Sequence, residues 1–244
     1  MNDKDKLTKR PDPKYLLKYG LNLLKYPFLE DKKIFQEIYR KNIWGNPETV
    51  SGHGSTLHQT AILLKALPDL FEKYRINSIL DIPCGDFYWM KELDKSSIDY
   101  TGADIVDEII STNLEKYSGH GRFMVLDICS SPLPEADLIL CRDCLVHLSY
   151  AKIIKALENI SGSEIKYLLM THFPECRCNF NTVTGSWRPL NFTKKPFTFP
   201  EPLEIIYEKP LYRAEKYKDK ALALWDIQMI NELFRTKKKK RIML

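Results

Sequence analysis

Residues 78–90 read SILDIPCGDFYWM, and the fold turns on how that stretch is read. A short apolar run ends in Asp81, the chain turns through Pro83, Cys84 and Gly85, and a second acid, Asp86, follows at once. Proline fixes φ and stiffens the turn, while glycine lets backbone approach a ligand without a Cβ in the way. In an open parallel sheet, ligands bind beyond the carboxyl ends of the strands. The stretch therefore reads as a strand that delivers a binding turn.

Working outward, similar apolar runs recur: YTGAD (100–104), RFMVLD (122–127), DLILC (137–141), KYLLMT (166–171), LEIIYE (203–208) and ALALWDI (221–227). Helical patterns such as DEIISTNLEKY and AKIIKALENI separate the earlier ones. Continuous apolar strands alternating with helices predict a parallel sheet covered on both faces, an α/β doubly wound fold with seven strands. No helix-length pattern lies between the last two runs, so these are expected to pair antiparallel. Upstream, Leu17, Leu21, Leu24 and Phe28 sit at helical spacing, and a second helix is expected over about 31–42. The first of these suits an arm packed on the body, a dimer contact or a membrane-surface helix. Ser55 or Thr56 caps a third helix running to about residue 74. The expected organisation is an N-terminal helical arm (1–45), a catalytic domain (46–232) and a basic tail (233–244).

The chain has 244 residues, 28% of them charged, with 37 Lys and Arg against 32 Asp and Glu. The run Lys237–Arg241 holds five positive charges, as many as the formal net charge of +5, so the rest of the chain is neutral. A nucleic-acid binder spreads a basic stripe over its folded face, and this composition argues against such a partner. No apolar run reaches the roughly 18 residues needed to span a bilayer. Integral membrane association is not expected, and peripheral contact stays open. Six cysteines without an apolar leader suggest reduced thiols in a cytoplasmic protein. Cys141 and Cys144 form C-x-x-C, but Cys141 ends an apolar strand rather than a metal knuckle, and no metal site is expected.

The chemistry lies at the strand ends. A dinucleotide fold wants three glycines and a pyrophosphate at the helix start. Here there is one glycine, and Asp86 stands where a phosphate would need neutral or positive surroundings, so NAD is disfavoured and a cationic ligand is favoured. Asp104, 23 residues after Asp81, closes the second strand at the interval where an acid takes ribose hydroxyls, with Ile105 beside it. Asp127 suits an exocyclic adenine amine, and Ile128 suits the face of the ring.

These residues resemble the class I S-adenosylmethionine-dependent methyltransferases over about 78–170: LDIPCGDF resembles their first motif, YTGADIV the ribose-binding strand end, VLDI the adenine-side loop, and DLILCRDCLVHLS the fourth strand and the segment after it. The sequence departs from the pattern at Pro83 and Phe87, where glycines are more usual. The resemblance implies S-adenosyl-L-methionine as cofactor, held by Asp81, Pro83, Gly85, Asp86, Asp104, Ile105, Asp127, Ile128 and Arg142. Ser51 and Ser55, in SGHGST, suit the methionyl carboxylate. The segment CRDCLVHLS then faces the transferred methyl, which nominates His147 as base and Asp143 as its helper, four residues apart on one helical face. Trp187, Arg188 and Asn191, in the long stretch after the fifth strand, are expected to bind the acceptor. IPCGDFYWM and CRDCLVHLS are also similar to bacterial methyltransferases associated with surface-polysaccharide biosynthesis. That similarity implies O-methylation of a sugar or phosphorylated sugar-like group. The competing readings are a nucleic-acid methyltransferase, although no Asn-Pro-Pro-Tyr type segment follows the fourth strand, and a non-catalytic cofactor-binding or scaffold protein.

Overall fold

The sheet of the computed structural model, which describes residues 25–209 and 217–233, runs in the order β3-β2-β1-β4-β5-β7-β6. The strands are β1 (Ser78–Asp81), β2 (Asp99–Asp104), β3 (Arg122–Val125), β4 (Leu138–Cys141), β5 (Tyr167–His172), β6 (Glu204–Tyr207) and β7 (Ala221–Asp226). β1 pairs in parallel with β2 and β4, β2 with β3, and β4 with β5. β7 runs antiparallel to both β5 and β6, the expected reversal of the last two strands.

The inner strands β1, β4, β5 and β7 are buried on both faces, and their side chains alternate between two cores. Leu80, Ile139, Leu168, Met170, Ala223 and Trp225 point into one, joined by Ile153, Leu157 and Ile160 from helix α4 (Tyr150–Ser161). Ile79, Leu138, Leu140, Leu169, Leu222 and Leu224 point into the other, joined by Leu63, Leu67 and Phe71 from α2 (Leu57–Tyr74) and Ile110 from α3 (Asp107–Tyr117). A period of two with both sets apolar is what a two-sided sheet requires. Truncating a fully buried leucine such as Leu140 to alanine costs about 2–5 kcal/mol.

Two capping features aim α2. Thr56 accepts from the Gln59 backbone N–H at its start, and Arg75 adopts a left-handed φ of 53° at its end. Helix α1 (Asp31–Arg40) buries Ile34 and Ile38 against Tyr26 and Ile43. Its Lys32 pairs with Asp107 at 2.8 Å and its Asp31 with Lys152 at 2.6 Å, so α1 bridges the first turns of α3 and α4. Those turns follow strand carboxyl ends, which places α1 above the site end of the sheet. Phe35 and Ile38 of α1, in the expected N-terminal arm, line the same cavity as Asp81 and Asp104 of the expected catalytic domain. Most of the first predicted helix, with Leu17, Leu21 and Leu24, and the lysine tail lie outside the described residues.

The long stretch after β5 was expected to be a functional loop. Among the described residues of 173–199 there is no helix or strand, yet the segment is built into the core. Phe192 packs against Phe197, Phe199 and Trp225, and the Trp225 indole donates to the Pro200 carbonyl at 2.9 Å.

Candidate active site

One cavity of about 730 Å³ opens at the carboxyl ends of β1, β2 and β4, within the ~300–1,000 Å³ range of ligand pockets. Strand order reverses between β1 and β4, the position at which doubly wound sheets bind ligands.

The opening turn forms one wall. Gly85 has φ +54°, which strains any side chain, and a Cβ there would stand 2.2 Å from Ser51 Oγ and displace that hydroxyl. The turn is held from two sides: the Gly85 N–H donates to Asp104 at 3.2 Å, and the Asn113 amide donates to the Gly85 carbonyl at 2.8 Å. Asp104 also accepts from the Val106 N–H at 3.0 Å. Burial pushes its carboxyl up to about 6 despite those backbone bonds. Burial likewise pushes Asp81 up to about 7, against the opposing hydrogen bond from Tyr100 Oη at 2.7 Å. Asp127 caps its own turn, accepting from the Cys129 N–H and Ser130 Oγ, both at 2.8 Å. A carboxylate has about four acceptor sites, so it retains capacity for a ligand amine.

The opposite wall carries charge and aromatic rings. Arg142 donates to Glu208 through Nη2 at 2.6 Å and to the Gly54 carbonyl at 2.7 Å. Lys220 bonds Asp143 at 2.5 Å and Glu208 at 3.2 Å. This tetrad ties the end of β4 to the segments flanking β6 and β7. Burial alone would raise the Asp143 carboxyl, but Lys220 and Arg142 hold it well below the usual carboxylate range. His147, in a 3-10 turn (Leu145–His147), places Nδ1 2.8 Å from the Ser186 carbonyl. A carbonyl only accepts, so the neutral ring carries its proton on Nδ1 and its lone pair on Nε2. Burial lowers the pKa of His147 below 6.5, with the charge of Asp143 opposing. Trp44 lies over the imidazole, with centroids 5.1 Å apart.

The structure brings Ser51, Ser55, Asp81, Pro83, Gly85, Asp104, Ile105, Asp127, Ile128, Arg142, Asp143, His147 and Trp187 to this single cavity. Three expected residues fall elsewhere. Asp86 points away from it and grips the preceding loop, accepting from Thr49 Oγ1 at 2.7 Å, the Val50 N–H at 3.0 Å and Ser51 Oγ at 2.8 Å. Arg188 is fully buried and donates to the Leu145 and Val146 carbonyls, and burial lowers its pKa to about 10. Asn191, also buried, ties the Pro174 and Cys176 carbonyls together. A charged or amide side chain in a polar loop reads as a ligand group, but here each satisfies loop backbone that the core buries. The helical face expected to pair Asp143 with His147 is also replaced: Asp143 has φ +52° and bonds Lys220 and Thr171, while a backbone carbonyl orients the imidazole. The sequence reading missed Trp44, Trp89, Glu208, Tyr217 and Lys220, which line the cavity from distant segments. Among the described residues, no group of three or more His, Cys, Asp or Glu is placed to hold a metal.

Comparison with known proteins agrees with this geometry. Residues 80–162, a third of the chain, match the methyltransferase domain family. No curated protein matches. Among solved structures, the fold is similar to magnesium protoporphyrin IX methyltransferase from Synechocystis with bound SAM (TM-score 0.54, 11% identity, 81% of this chain and 97% of that one). It is also similar to human N-acetylserotonin methyltransferase in complex with SAM (TM-score 0.54, 19% identity, 86% of this chain and 61% of that one). A third likeness is to the N-methyltransferase NodS from Bradyrhizobium japonicum (TM-score 0.52, 17% identity, 69% and 96%). The fold is the Rossmann-like fold of class I methyltransferases. The stretch that matches the methyltransferase domain, 80–162, contains the strand ends that build the cavity.

Proposed function

We propose that the protein transfers a methyl group from S-adenosylmethionine to a hydroxyl of a small polar acceptor of the sugar kind, with His147 as general base. The observation that carries this reading is that His147, its tautomer set by Ser186, lines the same cavity as the strand-end carboxylates Asp81 and Asp104. The residues fit the cofactor. Asp104 would hold the ribose diol and Asp127 the adenine amine; the acidic wall suits a cation, and the Ser55 hydroxyl would meet the methionyl carboxylate, a role that the Ser51 hydroxyl, given to Asp86, does not share. When bound, S-adenosylmethionine supplies an electrophilic methyl on a cationic sulfur. The protein's own tasks are to hold the acceptor in line, exclude water and take the hydroxyl proton on Nε2. A buried imidazole with a lowered pKa is neutral at pH 7 and ready for that role.

The similarity of IPCGDFYWM and CRDCLVHLS to methyltransferases of surface-polysaccharide biosynthesis supports a glycan-related acceptor. The six free thiols are in keeping with a cytoplasmic enzyme. Among the described residues, no helix is long and apolar enough to cross a membrane. The test is calorimetry with S-adenosylhomocysteine, followed by transfer of isotope-labelled methyl from S-adenosylmethionine to hydroxylated glycosides. Binding of the cofactor product with transfer that depends on His147 is expected. A folded wild-type protein that does not bind S-adenosylhomocysteine would sink the reading.

A further inference from the structure

The acceptor end of the cavity is walled by rings and has its charges matched. The Trp44 ring lies against the imidazole of His147, tilted by 35° with centroids 5.1 Å apart. On the other side of the base, Ser186 holds Nδ1, and the next residue, Trp187, packs edge-on against Tyr217 with centroids 4.9 Å apart. All of these residues line the cavity.

Apart from histidines, the cations lining the cavity among the described residues are Arg142 and Lys220. Both are engaged, Arg142 with Glu208 and Lys220 with Asp143 and Glu208. Two cations against two carboxylates leave the network with no net charge, while Asp81, Asp104 and Asp127 line the same space. Arg188, the cation the sequence offered for a phosphate, is sealed beneath the Leu145 and Val146 carbonyls. A phosphoryl group brings about −1.5 to −2 charges near neutral pH. Among the described residues it would meet no unpaired lysine or arginine here, and could gain one only by breaking a buried pair, which is strongly unfavourable.

We infer that the acceptor is an uncharged molecule whose ring is received by the Trp44 and Trp187–Tyr217 walls and carries the accepting hydroxyl to His147, and that Trp44 is a specificity-determining residue. Flat apolar faces gain from stacking on rings whatever their hydroxyl pattern, so the wall selects for a ring and against a charge, and the base selects for a hydroxyl. The inference rests on the proposed function and narrows it by removing phosphorylated acceptors.

The test uses the full-length protein loaded with S-adenosylhomocysteine and two probes, phenyl β-glucopyranoside and its 6-phosphate, with binding followed by ligand-observed NMR and calorimetry. The neutral glycoside is expected to bind, with the 6-phosphate at least about tenfold weaker, a penalty of about 1.4 kcal/mol. Trp44→Ala should weaken the neutral probe by about three- to tenfold, the reach of one ring contact, and Trp44→Phe should restore most of it. The affinity for S-adenosylhomocysteine, unchanged in both variants, controls for folding. Equal or tighter binding of the 6-phosphate overturns the inference, as does a Trp44→Ala protein that binds the neutral probe like wild type. Absence of binding by either probe at millimolar concentration overturns it too. Failure of the wild type to bind S-adenosylhomocysteine is a separate result that removes the underlying reading instead.

Discussion

The two halves of the cavity are made in different ways. The proposed cofactor half comes mainly from one continuous stretch, residues 81–128, in which three successive parallel strands end side by side and each delivers a carboxylate. The proposed acceptor half is assembled from Trp44 and residues 142–147, 186–187, 208 and 217–220, drawn from distant parts of the chain, the last two brought in by the segments that flank β6 and β7. The first half is specified by a repeating local unit, the second by tertiary folding. The difference teaches where chemical variation is cheap: loops on the acceptor side can change without disturbing the strand ends that hold the cofactor.

The sharpest way to break this comparison is at His147. His147→Ala should lower kcat by about 10²–10⁴ while affinity for S-adenosylmethionine stays near wild type, because the base belongs to the acceptor half. Stopped assays with labelled methyl alongside calorimetry check both parts, and a full-rate variant removes the base. The activity limb of the wild type should lie below pH 6.5, since burial lowers the imidazole pKa.

Next in size is the tetrad. Glu208→Ala leaves Arg142 and Lys220 buried with one carboxylate between them, which should cost about 3–5 kcal/mol. For a chain of this size that is a drop of roughly 6–20 °C in Tm. A calorimetric Tm within a degree or two of wild type would show that the acceptor half is not braced by these charges.

Asp104→Ala addresses the cofactor half alone. It should weaken S-adenosylmethionine binding by about 1.5–3 kcal/mol, the worth of hydrogen bonds to a charged acceptor. Unchanged affinity in calorimetry would withdraw the ribose assignment.

The smallest effect is on pH. The Asp104 pKa is raised on folding, to about 6, so its ionised form is the disfavoured one in the free protein. Lowering the pH from 7.5 to 5 leaves about a tenth of it ionised and should weaken cofactor binding about tenfold. The sign for stability is opposite. The native state holds this proton more tightly than the unfolded chain does, so the free protein should lose stability as pH rises from about 4 through 6, with Asp81 extending the loss to about 7. Titrations of affinity and of Tm on the same sample check the two slopes; parallel slopes would contradict the assignment.

Much of the fold was legible because its signals are local. Apolar runs ending in Asp81, Asp104 and Asp127 mark strands and their ends without reference to anything distant, and helix α3 was readable from DEIISTNLEKY alone. The acceptor half was legible only at CRDCLVHLS, which follows a readable strand directly. Glu208 and Lys220 carry no local mark: each is one charge at the edge of an apolar run, and its meaning depends on Arg142, 66 residues before Glu208. Arg188 and Asn191 misled for the same reason in reverse. A polar residue in a stretch rich in Gly and Pro reads as surface, and its burial follows from the way Phe192, Phe197 and Phe199 draw the loop onto Trp225.

The placement of β7 also bears on how the chain acquires its fold during synthesis. β6 has no neighbour in the sheet except β7, and β7 is the last strand among the described residues. A chain emerging amino end first can pair β1 to β5 as each strand appears, but β6 must wait, unpaired, until residues 221–226 arrive and slide in beside β5. Up to that moment β5 presents an open apolar edge of six residues, Tyr167–His172, the kind of edge that pairs with other chains. Closure of the sheet and completion of the Arg142–Glu208–Lys220 brace both wait on the same late segment, residues 220–226.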